Sequence, residues 1–219
     1  MLAAFFNVIL DSGHIPSDIL KVNMSIIPKI TAPQQLKDFR PISGPTAMAK
    51  VLEMTLLSYL RSKIPDQFDS SQHGFVNKRS CTTNLLSFQE VIQVNRRAGY
   101  DSVAMFLDAS KAFDTISINT ILSALHSYSI CGKVLPLMEF LLKNRNISVK
   151  VGNSRSSSFS CSTGVPQGSV LAPLLFALAI ANVHTSLIHV VCLKYADDLV
   201  FIFSIKQYSI NTVFRKLQS

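Results

Sequence analysis

Two adjacent carboxylates, Asp197 and Asp198, close the string KYADD, and β-prone runs at 188–194 and 199–203 flank them. Side chains alternate between faces along a strand, so both acids can serve one site only where a tight turn splays them. A third acid, Asp108, ends the apolar run SVAMFL, which reads as a strand buried on both faces. On a neighbouring strand of one sheet it would meet the pair. Three such carboxylates repel one another unless divalent cations lie between them. Two hard cations about 3.5–4 Å apart activate an attacking oxygen and stabilise a leaving pyrophosphate, so the chemistry in prospect is phosphoryl transfer.

The elements that must hold these acids alternate between helix and strand. Leu2, Phe5, Phe6 and Ile9 mark a short amphipathic helix. The Pro- and Gly-rich stretches at 11–18 and 28–46 predict extended segments and loops. Met48, Val51, Leu52, Thr55, Leu56, Tyr59 and Leu60 recur at helical spacing until Pro65. A second helix is expected from Thr83 to Arg97, with Leu85, Leu86, Phe88 and Ile92 inward and Gly99 past its end. Ser117 is placed to cap a helix whose stripe is Ile118, Ile121, Leu122 and Leu125, and Leu135, Met138, Leu141 and Leu142 mark another. NISVKVGN alternates and turns at Gly152-Asn153, a two-residue hairpin. The run 169–182 is apolar all round and predicts a core helix, and 209–219 reads as one further helix.

In bulk, the 219 residues are 48% apolar, enough for a sizeable core in one domain or two lobes, and this excludes a disordered chain. Lys and Arg exceed Asp and Glu by 21 − 13 = 8, which favours a polyanion partner, nucleic acid first. Cys81, Cys131, Cys161 and Cys192 lack metal or disulfide spacing and read as buried free thiols in a reducing, intracellular compartment, nuclear or cytoplasmic. Pro173, Asn182, His184 and His189 interrupt the longest apolar stretch, so no membrane span is expected.

Five strings occur in one order: LKDFRPIS (36–43), SQHGFVNKRSCTTNLL (71–86), FLDASKAFDTI (106–116), GVPQGSVLAPLLFALAIAN (164–182) and YADD (195–198). Together they resemble the reverse transcriptases of non-LTR (LINE-like) retrotransposons. The resemblance implies an α/β (α+β) fold, a right-hand polymerase palm with an antiparallel sheet and N-terminal fingers. Fingers would span 1–100, with part of the palm helices, and palm 101–219. The implied activity is RNA-directed DNA polymerisation, with an RNA template, a DNA primer and dNTPs as partners and two Mg²⁺ ions, replaceable by Mn²⁺, as cofactors.

By that resemblance Asp108, Asp197 and Asp198 are catalytic and bind the metals, with the main-chain carbonyl of Ala109 as a further ligand. Phe113 would lie beneath the incoming sugar and reject a ribose 2′-OH. Gln167, Gly168 and Arg40 would contact the nucleotide, and Tyr195, Lys29 and Arg79 the primer or template. Each has a plainer alternative. Asp114 is read first as the anchor of its helix start; Phe113 also suits core packing, and Gln167 a turn. His73 is read as a structural hydrogen-bonding residue, and Lys111, Lys143, Arg145 and Lys150 as solvated or phosphate-facing surface.

The sequence also departs from the family pattern. Val76, Asn77 and Lys78 stand where the family carries Arg-x-Gly, and Val183 where it carries Asp. The later palm motif, the thumb and any endonuclease, zinc-knuckle or RNase H segment are not among these residues, so a fragment of a retroelement polyprotein is expected. The competing expectation is a catalytically inactive remnant that at most binds nucleic acid. An RNA polymerase or a maturase sharing the palm is the third, and Phe113 speaks against the first of these.

Overall fold

A computed structural model describes residues 2–109, 111–185 and 187–205; the helix expected over 209–219 lies outside them. In chain order the elements are α1 (Leu2–Ser12), β1 (Lys21–Pro28), β2 (Phe39–Pro45), α2 (Ala47–Lys63), α3 (Cys81–Arg97) and β3 (Asp101–Asp108). There follow α4 (Ala112–Thr115), α5 (Ile118–Ser127), α6 (Val134–Lys143), β4 (Arg145–Val151), β5 (Ser154–Arg155), β6 (Phe159–Cys161), α7 (Ala172–Ala179), β7 (Val190–Tyr195) and β8 (Asp198–Ile205). They form two compact units, one from the described residues of Met1–Phe68 and Lys111–Ile180, the other from those of Asp69–Ser110 and Ala181–Ser219.

In the first unit, β2, β1, β4 and β5 lie side by side, and β6 pairs with β4. β1 runs antiparallel to β2 and parallel to β4. The Gly152-Asn153 turn joins β4 to β5 through the pair Val151–Ser154, as the alternation predicts. The core gathers Leu52, Leu56 and Leu60 of α2, Ile121 and Leu125 of α5, Leu137 and Met138 of α6, and Leu175 and Phe176 of α7. Three local expectations change here. The buried stripe of α2 is Ala49, Leu52, Glu53, Leu56 and Leu60, and Val51 and Tyr59 are exposed. α7 is shorter than expected because Ser169 and Val170 are tied to Glu53 and the helix begins with Pro173 in its first turn. Ser117 stands at the N-cap of α5 without a side-chain capping bond.

The second unit is an antiparallel sheet in the order β3-β8-β7, with α3 packed on it. Buried Asn95 ties the helix down: its Nδ2 donates to Ser102 Oγ (2.8 Å) and its Oδ1 accepts from Ser204 Oγ (2.8 Å). Those two serines face each other across β3 and β8. α3 meets the sheet through Asn95 and through Phe88, whose ring lies 6.0 Å from that of Phe106. Leu85 and Leu86, expected inward, are therefore exposed. β3 is not buried on both faces either. It is an edge strand of a narrow sheet, and Phe106 is 70% exposed. All four cysteines are free, but only Cys192 is buried; Cys81 and Cys131 are exposed. No helix among the described residues is long and apolar enough to cross a membrane.

Candidate active site

Strands β7 and β8 form a hairpin whose flanking pair is Tyr195–Asp198, leaving Ala196 and Asp197 as its two-residue turn. β8 pairs with β3 in a register that sets Asp108 directly opposite Asp198. Directly opposed residues of an antiparallel pair share a face, with Cβ atoms about 4.5–5.5 Å apart. Tyr195, Asp198 and Asp108 thus form one row across three strands, and Asp197 stands beside it on the turn. Asp108 and Asp198 are exposed and Asp197 is half-buried. None of the four ion pairs found among the described residues involves any of them.

Ala196 has φ +55°, a left-handed conformation that costs a non-glycine residue about 1–2 kcal/mol. The preceding segment of the same unit holds it there. Gln72, fully buried, accepts at Oε1 from the Ala196 amide (3.2 Å) and from the Gly74 amide (2.8 Å). Around it the backbone makes a single parallel bridge to β7: Lys194 N–H donates to Ser71 O and His73 N–H to Lys194 O, both at 2.8 Å. A Cβ on Gly74 would lie 2.3 Å from the Ala196 nitrogen, so only glycine permits this approach. Beneath the turn, Lys194 is fully buried and its Nζ donates to Asp69 Oδ2 (2.8 Å) and to Ala181 O (3.1 Å).

Burial alone would raise the Asp69 carboxyl, but hydrogen bonds from Lys194 and Ser71 and the Lys194 charge hold it below its usual range. Arg79 Nη1 donates to the carbonyls of Asp69 (2.9 Å), Ser70 (2.8 Å) and Gln72 (2.6 Å) and so fixes the loop that carries Asp69. His73 shares a hydrogen bond with Thr83 Oγ1 (2.9 Å), and burial, then the Arg79 charge, lowers its pKa.

The other predicted positions lie in the first unit, except Ala109, which belongs to the second. Phe113 stacks on the buried Phe176, ring centroids 4.1 Å apart and planes 10° apart. Gln167 donates from Nε2 to Asp114 Oδ1 (3.3 Å), and its carbonyl accepts from Ser43 N–H (2.6 Å). The Asp114 carboxylate, expected to anchor its helix start, accepts from Gln167. Gly168 has φ +113°, and a Cβ there would lie 2.2 Å from Ser43 O. Arg40 is exposed on β2 opposite Ile27, and Lys29 is exposed just beyond β1. Ala109 follows β3 and is exposed. Arg145, expected at the surface, is buried, because its guanidinium is spent on three backbone carbonyls.

Sequence reasoning missed Asp69 and Lys194 as partners. The available signal was a lysine two residues from Cys192, on the inward phase of the strand VVCLKY, where a buried ammonium requires a carboxylate.

A hard divalent ion takes carboxylate and carbonyl oxygens, which is the donor set of Asp108, Ala109, Asp197 and Asp198. By chemistry these residues fit such an ion. As they stand, no three His, Cys, Asp or Glu side chains among the described residues converge into a metal-holding cluster.

Residues 27–219 match the family Reverse transcriptase (RNA-dependent DNA polymerase), and the chain belongs to that family. The family is in general dependent on divalent metal ions. Among its relatives is the retrovirus-related Pol polyprotein from the type-2 retrotransposable element R2DM of Drosophila melanogaster, 28% identical over 91% of this chain and 20% of that protein. The RNA-directed DNA polymerase from the mobile element jockey of the same species is 27% identical over 90% of this chain and 23% of that protein. The chain thus spans about a fifth of the length of these relatives. Apo telomerase from Candida tropicalis shares the fold, with a TM-score of 0.66 at 12% identity, over 98% of this chain and 45% of the other.

Proposed function

We propose that this chain carries the catalytic centre of an RNA-directed DNA polymerase that extends a DNA primer on an RNA template from dNTPs. The observation that carries the reading is the register of β3 on β8: it sets Asp108 opposite Asp198, with Asp197 on the adjoining turn, in a member of this family. Asp108, Asp197, Asp198 and the Ala109 carbonyl would hold two divalent ions, Mg²⁺ with Mn²⁺ as a substitute. When bound, such ions lower the pKa of the primer 3′-hydroxyl and balance charge on the departing pyrophosphate.

The remaining work falls to the chain's own residues. The row Tyr195–Asp198 supports Tyr195 as the side chain against the primer terminus. The stack on Phe176 keeps the Phe113 ring from turning aside, which suits a steric barrier to a ribose 2′-OH. Gln167 is held at side chain and carbonyl, so its amide can be presented to a nucleotide at little entropic cost. Gly168 lets this loop lie close to β2. Arg40 and Lys29 are exposed cations suited to phosphate, and Arg79 is a template contact oriented by its three carbonyl bonds. Functionally, residues 1–100 act as fingers and 101–219 as palm.

The test is extension of a labelled DNA primer on an RNA template by the purified chain with Mg²⁺ and dNTPs. The wild-type chain is expected to extend, Asp197→Asn to fall to background, and Phe113→Val to accept ribonucleotides. A folded wild-type chain that binds the duplex without extending it overturns the catalytic reading and leaves nucleic-acid binding alone.

A further inference from the structure

The loop 163–170 is gripped from behind by two buried charged side chains that none of the five family strings contains. On one side stands Glu53, from the middle of α2 and 5% exposed. Its Oε2 accepts from Ser169 Oγ (2.9 Å) and from the Val170 amide (2.7 Å). On the other stands Arg145, at the start of β4 and also 5% exposed. Its Nη2 donates to the carbonyls of Thr163 (2.7 Å) and Gly164 (2.9 Å), and its Nε to Leu142 O (2.8 Å). Between these anchors the loop is pinned again by Val165 N–H to Phe113 O (2.7 Å) and Ser43 N–H to Gln167 O (2.6 Å). Glu53 and Arg145 line the same cavity, with Pro166 and Ser169, yet they form no ion pair with each other or with any described residue.

Burying a charge is costly unless it is neutralised or fully hydrogen-bonded, and here the two groups make no direct ion pair. Both bond main-chain or hydroxyl groups of one loop, and Arg145 also bonds the Leu142 carbonyl at the end of α6. A core built only for stability would fill these sites with apolar side chains of similar volume. What the two charges supply is a fixed path for residues 163–170, the carboxylate holding the exit and the guanidinium the entry.

We propose that Glu53 and Arg145 are positioning residues that set the affinity for the incoming dNTP by fixing the loop that presents Gln167. This rests on the reading of Gln167 as a nucleotide contact. Neither residue touches the nucleotide; both act through the loop.

The experiment measures equilibrium binding of the next complementary dNTP to the chain on a primer–template whose primer ends in a dideoxynucleotide, so no turnover is needed. Wild type is compared with Gln167→Ala, Glu53→Leu, Glu53→Gln and Arg145→Lys. Glu53→Leu is expected to weaken dNTP binding about tenfold while primer–template affinity stays within about twofold. Glu53→Gln restores it, because one amide oxygen can accept both hydrogen bonds. Arg145→Lys, which keeps the charge and loses the fork, weakens dNTP binding by a smaller factor. If Glu53→Leu binds dNTP like wild type while Gln167→Ala does not, the positioning role is wrong and the nucleotide contact stands. If Glu53→Gln weakens binding as much as Glu53→Leu, or primer–template affinity falls in step, the effect is general loosening and the proposal fails. If Gln167→Ala binds dNTP as wild type does, the contact and the proposal fall together.

Discussion

The carboxylate hairpin of the second unit and the Gln167 loop of the first are both rigid, but they neutralise buried charge in opposite ways. Beneath the hairpin, Lys194 meets Asp69 as a buried ion pair, and the neutral amide of Gln72 holds the turn itself. Around the loop, Glu53 and Arg145 make no ion pair among the described residues and are hydrogen-bonded by an amide, carbonyls and a hydroxyl. Burial acts to raise both carboxyls: at Asp69 the hydrogen bonds from Lys194 and Ser71, with the Lys194 charge, overcome it and hold the group below its ordinary range, whereas at Glu53 burial outweighs the hydrogen bonds from Ser169 and Val170. Pairing suits the hairpin, where two strands and a loop must stay locked. Dipole anchoring suits a loop whose path, more than its attachment, is what matters.

The largest expected effect separates the two regions by stability. Asp69→Ala removes the carboxylate paired with the fully buried Lys194 ammonium and should cost about 3–5 kcal/mol. Glu53→Ala leaves one amide and one hydroxyl unpaired and should cost about 1–3 kcal/mol. Urea unfolding of both variants checks the order, and equal costs would erase the distinction between pairing and dipole anchoring.

A smaller effect on stability, with a larger one on activity, is expected at Gly74. Its Cβ would strike the Ala196 amide, so Gly74→Ala must displace the turn that carries Asp197. Primer extension should fall steeply while the urea midpoint moves less than in Asp69→Ala. Full activity in Gly74→Ala would show that the turn does not depend on the segment packed over it.

The smallest effect is a pair of opposite pH slopes. The lowered Asp69 carboxyl contributes stability that is present above the ordinary aspartate range, about pH 4, and is lost as pH falls through its lowered value. Glu53, raised, binds its proton more tightly in the folded state. Its contribution is present below the ordinary glutamate range and is lost as pH rises through the raised value. Melting temperatures between about pH 3 and 7 should show Asp69→Asn flattening the acid limb and Glu53→Gln flattening the decline at higher pH. Slopes of one sign in both variants would refute the contrast.

The local sequence by itself determined the hairpin that carries Asp197, the strand that ends in Asp108, the two-residue turn at Gly152-Asn153 and most of the helices. Each is written in the spacing of apolar residues and in turn chemistry within a dozen positions, so no distant contact is needed to read it. Which face of α3 is covered, and whether β3 is buried on one side or two, depended on how narrow a sheet lay beneath them. Only tertiary structure decided the partners of the buried charges. Lys194 and Asp69 are 125 positions apart, and Glu53 and Ser169 are 116 apart. No periodicity spans such distances: a buried charge declares that it needs a partner, but only the folded chain determines which partner it finds.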